Sequence, residues 1–74
     1  MRAQEWIDEF ARSADVPSPG DERFAELLEL AATAAHASER IAAPIACYIA
    51  GMSARPLDEL RGNAERIGAA RDLP

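Results

Sequence analysis

The stretch AAHASERIAAPIACYIAGM, Ala34 to Met52, decides how this chain folds. A polar knuckle from His36 to Arg40 leads into twelve consecutive residues, Ile41 to Met52, none of them charged. In an acidic chain of 74 residues such a run is either the centre of a core or a face for a partner. Pro44 suits the first turn of a helix, where its missing N–H is not needed. The run therefore predicts a helix over about Ala43 to Ala54. Ile45, Tyr48, Ile49 and Met52 make one bulky face of it. Cys47, Gly51 and Ala54, with Ala50 beside them, make a small-residue face that another helix could approach closely, a packing logic taken from membrane helices. A helix apolar on nearly every side belongs inside, which puts this one at the centre, with Gly51 where another helix passes close by, within the chain or across a dimer.

Three more helices follow from spacing. Ala3, Trp6, Ile7, Phe10, Ala11 and Ala14 recur at the 3–4 interval of one helix face, with Glu5, Asp8, Glu9 and Arg12 opposite. This predicts a helix over about Arg2 to Ala14, with Trp6, Ile7 and Phe10 buried as its anchor. Val16-Pro17-Ser18-Pro19-Gly20 breaks the pattern. A second helix starts near Ser18 or Asp21, where a capping hydroxyl, a proline and an acid fall in the order that helix starts favour. Phe24, Leu27, Leu28, Leu30, Ala31, Ala34 and Ala35 fill its apolar arc. Glu22, Glu26, Glu29, Thr33, His36 and Arg40 fill the other, up to an end between Ser38 and Ile41 set by the coming proline. A fourth helix starts at Pro56, with Asp58 and Glu59 in the first turn, where acids suit the helix dipole. Leu57, Leu60, Ala64 and Ile67 line it. Gly62 and Gly68 weaken it, and Arg71 and Asp72 are its loose end. The expectation is all-α: a single compact four-helix domain over residues 1–74 with a central apolar third helix.

Composition narrows the function. A chain this short buries only about 60% of its unfolded surface, and small scaffolds compensate with disulfides, metals, tight helix packing or self-association. Cys47 is the sole cysteine and His36 the sole histidine, so an internal disulfide and a four-ligand Cys/His zinc site are both excluded. The net charge is −5, and all eight basic residues are scattered arginines. Nucleic-acid binding needs concentrated positive charge, so it is not expected. The uncharged run is shorter than the ~20 residues of a membrane span, and Met1 opens on a charged amphipathic segment rather than a secretory signal. A cytoplasmic location, away from membranes, is the expectation.

No catalytic constellation, cofactor site or metal site is visible. Cys47 lies on an apolar helix, where a free thiol is usually a small buried hydrophobe. Asp8-Glu9, Asp21-Glu22 and Asp58-Glu59 are sequence neighbours, so their side chains diverge by about 100° on a helix. There is no phosphate loop and no nucleophile elbow. Size and acidity invite comparison with acyl carrier proteins, but Ser13, Ser18, Ser38 and Ser53 all lack the Asp-Ser-Leu setting that family requires. What remains is His36 and Arg40, one turn apart on the polar face, either cations stabilising a helix end or, with Tyr48, a binding site for an anion or a partner.

Two segments resemble a small bacterial domain family of unknown function. One is Glu5-Trp6-Ile7-Asp8. The other is Leu27-Leu28-Glu29-Leu30-Ala31 followed by Ala35-His36, Arg40, Ala43-Pro44 and Ile49-Ala50-Gly51. The resemblance covers roughly residues 4 to 67. Members of that family look like all-helical modules, alone or appended to molybdenum-cofactor guanylyltransferases. The resemblance brings no catalytic residues. It implies a non-enzymatic accessory module whose protein partner is a molybdenum-cofactor guanylyltransferase or a molybdoenzyme, a setting shared only by association. The alternatives are a small binding protein for a pterin phosphate or nucleotide, held by His36, Arg40 and Tyr48, and a structural homodimer through the small-residue face.

Overall fold

The four periodic segments become four helices in the computed structural model, which describes residues 1–72: α1 (Ala3–Ser13), α2 (Asp21–Ala37), α3 (Ala42–Ser53) and α4 (Leu57–Asp72). Among the described residues there is no strand, and the fold is all-α. Local chemistry sets the boundaries. The Arg2 backbone N–H donates to Glu5 Oε1 at 3.4 Å, closing the start of α1. Gly20 rather than Ser18 caps α2, its carbonyl accepting the Phe24 N–H at 2.8 Å. Pro19 disfavours helical dihedrals at Ser18, and the Ser18 hydroxyl donates instead to Asp8 Oδ1 at 2.5 Å, tying the linker back to α1. Pro44 sits in the first turn of α3. The Pro56 carbonyl accepts the Leu60 N–H at 3.2 Å, and Asp58 and Glu59 occupy the first turn of α4. Helix α4 runs on through Asp72. Leu73 and Pro74 lie outside the described residues.

The packing corrects the expected centre. Helix α2 is the hub, contacting both α3 and α4, while α1 has no comparable packing against any helix. Helix α3 is therefore not central. It meets α2 through Ala43, Ala46, Cys47 and Ala50, which are buried or half-buried, and leaves its bulky face in solvent. The physical reason is distance. Small side chains let two helix backbones approach closely and bring many backbone and Cβ atoms into contact, which Ile45 or Tyr48 at the seam would prevent. The Cys47 thiol, 3.9 Å from the Leu27 carbonyl oxygen, belongs to this seam. Gly51 is not at a crossing within the chain: a methyl group there would meet nothing within 4 Å. The close approach lies at Gly68 on α4, beside Ala37 at the end of α2. Arg61 adds a polar link between α4 and α2 through Glu29, with Glu65 3.6 Å from its Nε.

Helix α1 also departs from expectation. Trp6 and Phe10 are 54% and 59% exposed and stack on each other, ring centroids 5.0 Å apart, instead of anchoring the core. Ile7 is half-buried and only Ala11 is buried. Besides the Ser18–Asp8 bond, α1 is tethered by Gln4 Nε2 donating to Asp21 Oδ1 at 3.1 Å. An amphipathic face fixes which side chains seek cover, but a proline-bounded linker of a few residues limits where the helix can lie.

Two helix ends use left-handed residues without glycine. Helix α1 closes in a Schellman arrangement: Val16 N–H to the Ala11 carbonyl at 3.0 Å, Asp15 N–H to the Arg12 carbonyl at 3.1 Å, with Asp15 at φ 61°. Ala54 ends α3 at φ 57°. Aspartate tolerates this region better than alanine does. Ala54→Gly should therefore stabilise the protein by about 0.5–1 kcal/mol, since relief of about 1–2 kcal/mol of strain is partly offset by the freer unfolded chain. A thermal melt reads this directly, and an unchanged or lower Tm would contradict it.

Candidate functional site

The apolar face that α3 turns to solvent is the most conspicuous surface of the molecule. Ile41, Ile45, Tyr48, Ile49 and Met52 are between 58% and 74% exposed. Their 4-3-1-3 spacing lines them along one side of the helix, and no residue of α3 carries a charge. The spacing read from the sequence set the bulky face at Ile45, Tyr48, Ile49 and Met52 and left out Ile41. The signal was present, since Ile41 precedes Ile45 by one helical turn. A second apolar surface is the stacked Trp6–Phe10 pair on α1, which sequence reasoning assigned to the core.

The three residues singled out as a binding site do not assemble into a pocket. His36 lies in the last turn of α2 and is exposed. Ser38 leaves helical geometry at φ −139°, ψ −104°, so Arg40 falls in the turn between α2 and α3 instead of one turn further along the same face. Tyr48 stands on the outer face of α3. Among the described residues, no ion pair involves His36 or Arg40 and no hydrogen bond links any of the three. None of the three lines the groove of about 750 Å³ where α2, α3 and the start of α4 meet, walled by Arg23, Glu26, Leu27, Cys47, Gly51 and Leu57.

That groove is open and carries little chemistry. Burial pushes the Cys47 thiol pKa up from its ordinary value, which disfavours the nucleophilic thiolate. Arg23 and Glu26 offer charges of opposite sign at its rim. Among the described residues, no three His, Cys, Asp or Glu side chains come together as a metal site would require. No described helix is long and apolar enough to cross a membrane.

Comparison with known proteins places the chain at the level of a family. The model of a domain of unknown function, DUF6457, matches residues 1–73. No curated protein and no solved structure matches the chain. The family match supports the resemblance carried by Trp6, His36, Arg40 and Ala43-Pro44 as far as a small domain of unknown function.

Proposed function

From the premise that the chain belongs to the DUF6457 family, we propose that it is a non-enzymatic accessory module that docks on a protein partner, with molybdenum-cofactor maturation as its setting. The observation that carries the docking role is the Trp6–Phe10 stack, two large aromatic side chains more than half exposed on a helix with little packing of its own. Exposed aromatics of this kind are the side chains that anchor protein interfaces. A helix tethered by Gln4–Asp21 near its start and Ser18–Asp8 at its middle can present them without disturbing the α2 hub. Binding is favoured over catalysis by what the described residues offer: a thiol held protonated by burial and carboxylates spread along solvated faces. In this reading His36 and Arg40 are exposed polar contacts for the partner. The molybdenum setting is supported by the sequence resemblance alone, and it names a molybdenum-cofactor guanylyltransferase or a molybdoenzyme as the partner.

The test is binding of the purified chain to a purified molybdenum-cofactor guanylyltransferase from the same cell. The double variant Trp6→Ala/Phe10→Ala should weaken binding by roughly thirty-fold or more, the size of an interface hot spot. It should cost the isolated protein only about 0.5–1.5 kcal/mol, the worth of the aromatic stack. A variant that unfolds would return α1 to the core. A folded variant that binds as well as the parent would remove α1 from the interface, and no binding by the parent would remove the guanylyltransferase as its partner.

A further inference from the structure

We propose that the apolar face of α3 is covered by a second copy of this chain, so that the working unit is a two-fold dimer with paired α3 helices. The proposal goes beyond the docking role assigned to α1 and rests on different residues. The first argument is area. A folded monomer of 8.0 kDa exposes about 4,450 Å² by the scaling of monomeric proteins, whereas this chain exposes 6040 Å². The excess of about 1,600 Å² is twice the ~800 Å² that each partner buries in a standard interface. That leaves enough for a self-contact on α3 and a separate contact on α1.

The second argument is charge. Two copies each carrying −5 repel one another over most of their surface. Helix α3 has no charged residue from Ala42 to Ser53, so like-charged copies can meet there without burying a carboxylate. The third is pattern. Ile41, Ile45, Tyr48, Ile49 and Met52 repeat at the spacing of a helix–helix seam, and an isologous pairing sets one such stripe against its own copy. Antiparallel packing also opposes the two helix dipoles favourably. The contact differs from a small-residue homodimer seam, because Cys47 and Ala50 are already committed to α2 and only the bulky side of α3 is free.

Sedimentation or light scattering of the full chain at micromolar to millimolar concentration should give a mass twice 8.0 kDa. Ile45→Glu and Ile49→Glu should each raise the dissociation constant by roughly thirty-fold or more with helicity retained, because both side chains are more than half exposed in the monomer. The Tm of the parent chain should also rise with protein concentration, as it does when only the folded dimer associates; this measurement holds even if a variant fails to fold. Monomer throughout that range with a concentration-independent Tm would overturn the proposal. So would a dimer untouched by both substitutions but dissociated by Phe10→Glu. The dimer and the partner-docking role fail separately: the α3 variants should still bind the guanylyltransferase at Trp6 and Phe10, and the Trp6→Ala/Phe10→Ala variant should still dimerise.

Discussion

Leu30→Ala is expected to move the unfolding transition of the molecule to much lower urea concentration. Leu30 is 3% exposed, the most deeply buried of the residues that make the core, and it lies on α2, the helix against which both α3 and α4 pack. Truncating a buried leucine typically costs about 2–5 kcal/mol, from lost transfer energy and the cavity left behind. A domain of this length has a total stability of about 4–11 kcal/mol at ordinary values per residue. The loss therefore takes a large share of what holds the chain folded. The other buried positions among the described residues, Ala11, Ala34 and Ala50, are already alanine and offer no flexible side chain to refill the gap. Leu28→Ala is the matched control: same helix, same chemistry, but 60% exposed, so its cost should stay within about 0.5 kcal/mol. Urea titration followed by circular dichroism compares the two. Equal midpoints would mean that α2 is not the hub.

The helices were legible in the sequence because their signals are local. Pro44 and Pro56 mark two starts, the 3–4 spacing marks each body, and the observed bounds fall close to those the patterns predict. The arrangement of the helices was not legible, and α3 shows why. A helix apolar on both sides has no single period to say which side turns inward. Ala43, Ala46, Cys47 and Ala50 won that contest over Ile45, Tyr48 and Ile49 because the α2–α3 distance rewards small side chains, and that distance is set by neither helix alone. Trp6 and Phe10 failed for a related reason. Amphipathicity identifies an apolar face but not whether the cover comes from the same chain or from another. His36 and Arg40 looked like one site because a helix was continued through Ser38 on paper. The break at Ser38 separates them, and only the coming Pro44 hinted at it.

Gly51 and Gly68 look alike in sequence and should respond to substitution in opposite directions. At Gly68 a Cβ would lie 2.9 Å from Ala37 Cβ and 3.6 Å from Ala37 Cα. Cβ atoms do not approach that closely, and the neighbour is fixed to the α2 backbone, so it cannot swing aside as the end of a long side chain would. Gly68→Leu should therefore force α4 away from α2 and cost about 1–3 kcal/mol, the usual penalty of overpacking. Gly68→Ala gains up to about 1 kcal/mol of helix propensity and loses more than that to the contact, so it too should destabilise. At Gly51 the space is open, and Gly51→Ala should stabilise by about 0.8–1 kcal/mol through propensity alone. A double-mutant cycle separates contact from propensity. Ala37→Gly removes the colliding methyl, so Gly68→Ala should become stabilising in that background, whereas Gly51→Ala and Ala37→Gly should simply add. If Gly68→Ala raises the melting temperature of the parent chain, α4 does not cross α2 closely at Ala37, and the α2–α4 half of the packing must be redrawn.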